Sequence, residues 1–265
     1  MTILKTVRLG YPIQSNSRPI PTLCEDFEEY FVKFPISGTD SIDLTYEFVC
    51  KHLGNHFGVP MPEIAIVSAK EGSWTPTDIP ELTPNMIGFA SKKVEDSNIL
   101  SMETALISSK HDYNRIQNPL DLLRIGIFDL HINNMDRCEE NFNLIAEYGT
   151  KDSLVAIDHV AAFGGVNGKN RFIPRRVTDV GKNILRSEFG KSVIKYTSQS
   201  DRQLVLAENE SQMRNLSPTL DVAFRNMPTD WDVSDNLHER MVTFLTNDDR
   251  NQSIIEEFNR LFRLL

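Results

Sequence analysis

The 265-residue sequence predicts an α+β protein of two lobes, a β-rich first part carrying one key helix and a mainly helical second part. Three observations carry that prediction. Up to residue 92, aromatic and β-branched runs bracket a single amphipathic helical pattern. From residue 93 on, apolar residues recur at helical spacing, broken by Asn, Ser and Gly. Hydrophobic residues make up 40% and charged residues 25%, the balance of a folded domain, which excludes disordered, collagen-like and disulfide-scaffold classes. The expected division is 1–92 and 93–265, with no internal repeat.

The elements follow in order. Glu28 to Phe34 is rich in aromatic and β-branched residues and reads as a strand. Pro35, Gly38 and Asp40 end it, and a helix is expected from Ser41 to Phe57. Asp40 serves as its N-cap with Asp43 in the first turn, Leu44, Phe48 and Leu53 form its apolar face, and Gly58 and Pro60 stop it. Ile64 to Ser68 and Met86 to Ala90 read as two further strands, separated by a Pro/Thr-rich loop. Asn118-Pro119 then opens a helix with Leu120, Leu123, Ile127 and Leu130 on one face, running out at Asn133-Asn134. Phe142–Ile145 and Leu154–Ile157 are expected to pair about a turn at Tyr148-Gly149-Thr150. A glycine-rich stretch follows at 163–168, then helical pieces ending on the stripe Ile254, Phe258, Leu261 and Leu265.

Several classes are excluded early. No apolar run approaches the ~18 residues of a membrane helix, and Lys5 and Arg8 interrupt the start of the chain, leaving no signal-peptide core. A cytoplasmic protein with no membrane contact is expected. The net charge of −9 weighs against a direct nucleic-acid binder. Cys24, Cys50 and Cys138 are far apart and form no Cys-x-x-Cys pair, so the first two read as small buried residues. There is no G-x-G-x-x-G after a strand and no nucleophile elbow. Gly164 to Lys169 has the wrong spacing for a phosphate loop. His52 and His56 lack the glutamate of a zinc motif and read as surface or satisfied core residues.

The informative stretch is Asn134-Met135-Asp136-Arg137-Cys138-Glu139-Glu140-Asn141, followed by Asp158. Asp136 and Asn141 have the D-x-x-x-x-N spacing of the protein-kinase catalytic loop. Phosphoryl transfer needs a carboxylate to orient the acceptor hydroxyl and oxygen ligands to hold Mg²⁺ against the phosphates. One short loop can aim an Asp and an Asn into the same cleft, and the hairpin after it returns the chain to deliver Asp158. Alone the spacing is weak, since a capped, solvated loop would show it too. Two residues of the first lobe add weight. Lys33 lies inside a strand, where kinases place the lysine that grips the α/β-phosphates, and Glu47 lies on the lobe's helix, where kinases place its partner. The bland readings are a snorkelling edge-strand lysine and a Glu47–Lys51 surface pair. Five such residues in kinase order favour a kinase.

On Tyr30-Phe31-Val32-Lys33-Phe34, the helix with Glu47, the run from Phe128 through Asp136 and Asn141 to Leu144, and Ala156-Ile157-Asp158-His159-Val160, the sequence resembles the HipA-like kinase family over most of its length. The D-R-x-x-x-N and I-D-H elements are also similar to those of phosphatidylinositol kinases. The resemblance implies a two-lobed protein-kinase-like fold using ATP and Mg²⁺, with serine/threonine protein kinases, several of them toxins of toxin–antitoxin modules, among its better-known members. It implies Asp136 as the catalytic aspartate, Asn141 and Asp158 as metal ligands, Lys33 on the ATP phosphates and Glu47 orienting Lys33. It also implies a hinge against the adenine after residues 86–91, with Phe89 and Ser91 near the nucleotide. Arg137 is expected to be structural. Cys138 stands where related loops have histidine, and no glycine-rich phosphate loop is visible. Residues 10–17 are the expected cover instead, and Ser15 and Ser17 are expected autophosphorylation sites by analogy. No helix-turn-helix is evident, so an antitoxin would be a separate polypeptide.

The leading expectation is therefore an ATP- and Mg²⁺-dependent serine/threonine protein kinase with an unidentified protein acceptor. A kinase for a small molecule or lipid headgroup would carry the same phosphate machinery. A pseudokinase that binds nucleotide or a partner without turnover is the alternative from a different class.

Overall fold

The computed structural model of the protein describes residues 2–15, 17–36, 38–105, 107–164, 172 and 182–263. The glycine-rich residues 165–168 and the last stripe position, Leu265, lie outside them.

Five strands form the first part: β1 (Ile3–Leu9), β2 (Ile20–Cys24), β3 (Glu29–Lys33), β4 (Ile64–Ser68) and β5 (Ile87–Lys92). They close into a barrel in the order β1-β2-β3-β5-β4, antiparallel except where β1 meets β4. Strand alternation sends one side-chain row inward. Ile20, Val32, Phe34, Ala65, Val67 and Ala90 fill the interior, and Ile79 and Leu82 from the long β4–β5 loop pack into the same cluster. The sequence reading found β3, β4 and β5 but not β1 and β2.

The helix α1 (Ser41–His56) runs between β3 and β4, one residue shorter than expected. Its start is fixed as the sequence suggested, the Asp40 backbone N–H donating to the Asp43 carboxylate at 2.9 Å. Its buried face, including Leu44, Phe48 and Leu53, joins one large core with the outer face of β4 and β5 and with the helices beyond. Trp231 locks this junction, its indole N–H donating to the Ile87 carbonyl at 3.2 Å and its ring meeting Phe48 edge-on.

Beyond β5 come β6 (Ser97–Ile99), α2 (Lys110–Arg115), α3 (Leu120–His131), β7 (Leu144–Glu147) and β8 (Ser153–Ala156). The predicted hairpin is β7–β8, and the short β6 adds a third strand to it. Five helices complete the described chain: α4 (Glu188–Tyr196), α5 (Gln199–Met213), α6 (Leu216–Asn226), α7 (Leu237–Leu245) and α8 (Asp248–Arg263). No helix among the described residues is long and apolar enough to cross a membrane.

Candidate active site

Strand register decides which residues lie on the outside of the barrel, towards α1. Lys33 stands opposite Phe89, and Phe31 opposite Ser91, in the β3–β5 pair. Lys33, Phe89 and Ser91 therefore share the outer face that α1 covers, whereas Val32 and Ala90 face inward. Phe89 is buried in the core against α1, and Ser91 is half-buried nearer the exit of β5. The strands touch closely here. A side chain on Gly88 would meet the Lys33 carbonyl and the Phe34 ring, each at 2.8 Å, so only glycine fits.

Lys33 is buried on an interior strand of the barrel, which removes the edge-strand reading. Its Nζ lies 2.5 Å from Glu47 Oε1 and 2.9 Å from Asp158 Oδ1. The surface pair with Lys51 is not formed, since Lys51 Nζ donates to the Met61 carbonyl at 3.0 Å. Glu47 uses its second oxygen to accept the backbone N–H of His159 at 3.1 Å, tying α1 to the segment after β8. Burial opposes charge on Lys33, but Asp158 and Glu47 outweigh it and hold the ammonium above its ordinary value. Burial likewise opposes charge on Asp158, and Lys33 holds its carboxyl below the ordinary range. Both groups are thus ionised at neutral pH. Asp158 adopts a left-handed φ of 56°, which Asp tolerates better than most residues.

The loop after α3 is built on a buried arginine. Arg137, fully buried, donates from Nε to Asp129 Oδ2 at 2.9 Å, from Nη1 to the Phe142 and Asn143 carbonyls, and from Nη2 to the Ile157 carbonyl at 3.2 Å and His159 Nε2 at 2.9 Å. One side chain thereby ties α3, the loop and both sides of the β7–β8 hairpin, the structural role expected of it. Asp129 is held on its other oxygen by Asn134 Nδ2 at 3.0 Å, and burial pushes its carboxyl up against the pull of Arg137. Burial and then the Arg137 charge hold His159 well below its usual pKa, so the ring is neutral. Because Arg137 donates to Nε2, the ring proton belongs on Nδ1.

On this base Asp136 is half-exposed, and its Oδ2 accepts from Asn141 Nδ2 at 2.8 Å and Asn143 Nδ2 at 3.1 Å. Oδ1 accepts nothing among the described residues. The Ile157 N–H donates to the Asn143 carbonyl at 3.0 Å, which brings Asp158 alongside this loop. Asn141 and Asp158 offer an amide and an ionised carboxylate, a hard oxygen set suited to Mg²⁺, which keeps most of its shell for water and phosphate. No group of three or more His, Cys, Asp or Glu side chains arranged for a metal occurs among the described residues.

The remaining expectations fall elsewhere. Ser15 is exposed in the connection from β1 to β2, while Ser17 is only 8% exposed and its carbonyl accepts from the Thr39 hydroxyl. Cys24 and Cys50 are buried; Cys138 is half-buried, donates to Glu140 at 3.0 Å and is pushed up in pKa by burial. His56 is satisfied by the Gln212 carbonyl and the Thr219 hydroxyl, whereas His52 packs edge-on against Phe48 with its Nε2 buried and without a hydrogen-bond partner among the described residues, so it is not the satisfied residue expected. Sequence reasoning missed Asp129, Asn143 and His159. The available signal was polar character in apolar surroundings: Asp129 sits among the buried residues of α3 and Asn143 between Phe142 and Leu144.

A barrel lobe with one cleft-side helix, a helical lobe with a polar loop, and an ion pair joining them define a protein-kinase-like fold. The chain belongs to the HipA-like kinase family, whose model matches residues 9–260. Among solved structures it is similar to the Helicobacter pylori proinflammatory kinase CtkA, with a TM-score of 0.54 and 17% identity, covering 99% of each chain. It is also similar to the Golgi casein kinase with Mn/ADP bound, with a TM-score of 0.53 and 11% identity, covering 99% of this chain and 74% of that one. No curated protein matches in sequence. The family makes the protein a kinase.

Proposed function

We propose that this kinase is an ATP- and Mg²⁺-dependent serine/threonine protein kinase working in the cytoplasm, with lobes at 1–92 and 93–265. The observation that carries the reading is the Lys33 ammonium set between Glu47 and Asp158. A cation able to reach phosphate, braced by a buried helical carboxylate and placed beside a metal-type aspartate, is what phosphoryl transfer asks of a protein. A neighbour of the same fold holds Mn/ADP, which supports a nucleotide with a divalent cation here.

In this reading Lys33 grips the α/β-phosphates, Glu47 keeps Lys33 in place, and Phe89 and Ser91 lie towards the adenine. Asn141 and Asp158 hold Mg²⁺, which when bound neutralises phosphate charge. Asn141 and Asn143 fix Asp136 from one side, leaving Oδ1 to take the hydrogen bond of the acceptor hydroxyl. The hydroxyl oxygen bonds to the γ-phosphorus, the bond to the β–γ bridging oxygen breaks, ADP leaves, and the hydroxyl proton passes to Asp136. The acceptor is a protein, with Ser15 the favoured site of autophosphorylation over buried Ser17, and any antitoxin is a separate chain.

Labelled ATP with Mg²⁺, followed by phosphoamino-acid analysis, tests this. Label in phosphoserine or phosphothreonine is expected. Label found only in an added small molecule would overturn the protein-kinase reading, and absence of nucleotide binding would overturn the whole.

A further inference from the structure

The loop carrying Asp136 begins where α3 ends, and a helix end leaves its last carbonyls without intrahelical partners. Three consecutive ones are taken up here by residues distant in sequence. The Leu130 and His131 carbonyls accept from Arg250 Nη2 at 2.7 and 2.6 Å. The Ile132 carbonyl accepts from the Phe163 N–H at 2.6 Å. Arg250 is 1% exposed, and its guanidinium lies 4.0 Å from the centre of the Phe244 ring. That ring meets Phe163, and Phe163 meets Tyr46, the neighbour of Glu47 on α1. Arg250 thus touches the last residues of α3, from which the Asp136 loop extends, directly, and the Glu47 helix through two rings.

Two local preferences are overridden to put an arginine there. Arg250 is in the first turn of α8, its N–H held by Asn247 Oδ1 at 2.9 Å, and a cation at that end opposes the helix dipole. Among the described residues no carboxylate pairs with it, Nε and Nη1 have no hydrogen-bond partner, and burial pushes its pKa down to about 9. The compensation is at α3, where a cation against the C-terminal carbonyls is favourable. Such a conflict between local rule and observed residue marks a site where position matters.

We infer that Arg250 is a positioning residue for phosphotransfer: by clamping the Leu130 and His131 carbonyls it fixes the end of α3 from which Asp136 extends, making α8 part of the catalytic machinery. The inference rests on the role given to Asp136 above and requires no contact with nucleotide or acceptor.

Steady-state kinetics and hydrogen exchange on the full chain test it, with Arg250→Met keeping the apolar stem and Arg250→Lys the charge. Arg250→Met is expected to lower kcat about tenfold or more, since small displacements of a catalytic group are costly. KM for ATP and ATP affinity should stay within about twofold, as for a residue that acts on the chemical step alone. Arg250→Lys should recover part of kcat, and exchange over 132–141 should rise in Arg250→Met while the barrel is unchanged. Wild-type kcat with unchanged loop exchange would overturn the inference, as would a kcat loss that only tracks lost ATP binding. If Arg250→Met does not fold, Arg250→Lys supports the same comparison. An inactive wild type would sink the kinase reading instead, leaving loop exchange to decide the positioning role.

Discussion

Lys33 and Asp158, from the barrel and from the segment after β8, meet with Nζ 2.9 Å from Oδ1, and the same ammonium serves Glu47. One cation therefore sits against two carboxyl groups: Lys33 holds the Asp158 carboxyl down, while burial pushes the Glu47 carboxyl up against the pull of the same ammonium. Lys33→Met leaves both uncompensated, and the expected loss is about 3–5 kcal/mol of stability. Glu47→Gln should cost less, because Lys33 keeps Asp158. Urea unfolding of the two variants checks the order, and equal losses would contradict the sharing.

Arg137 is a sharper test of the loop's foundation. A lysine has a point charge where arginine has a planar fork, and it cannot reach a carboxylate, three carbonyls and an imidazole together. Arg137→Lys is expected to cost about 2–5 kcal/mol through buried groups left unpaired. A change in urea midpoint equivalent to less than about 1 kcal/mol would show that the hub is not needed.

Much of this was legible in the sequence, and what was not has local causes. Lys33 could be placed because a lysine inside an apolar strand breaks its pattern, and Glu47 because it follows Lys33 on the one helix of the first part, in kinase order. β1 escaped because its buried row contains only Thr6 as a fully buried residue, while Ile3 and Val7 lie half-exposed on the other face. β2 carries Pro21, which demotes a strand reading. β6 has three residues, too few for any period. The Asp129–Arg137 hub rests on a contact between residues eight apart across a helix end, which no single-element pattern contains. Arg250 lies farther still from its partners, 120 and 119 residues away, and no pattern in the sequence singles it out.

Acid should weaken the fold through a buried histidine. His131 donates to Asn209 at 3.0 Å, and burial, with the Arg250 charge beside it, pushes its pKa from 6.5 down to about 3. The unfolded chain takes up this proton near its ordinary pKa and the folded chain only far below it. The contribution is therefore complete above pH 6.5 and lost as the pH falls towards 3. His131→Gln, able to keep the bond to Asn209, should flatten the stability–pH slope by about 1.4 kcal/mol per unit in that window. Denaturant melts at several pH values check this, and an unchanged slope would mean that the ring is already charged in the fold.

The two serines of the β1–β2 connection differ in access. Ser15 is exposed and Ser17 is buried beside Thr39. Peptide mapping after incubation with Mg·ATP is expected to find phosphate on Ser15, and Ser15→Ala to remove it. Modification of Ser17 alone would show that this connection opens far more than its packing suggests.

The most direct measurement is phosphotransfer by Asp136→Asn beside wild type, with ATP affinity measured on both. Asp136 touches Asn141 and Asn143 but none of the groups that brace Lys33. Transfer should fall by about 10²–10⁴ with ATP affinity preserved. Transfer at the wild-type rate would show that the hydroxyl is oriented elsewhere and contradict the assignment of the site.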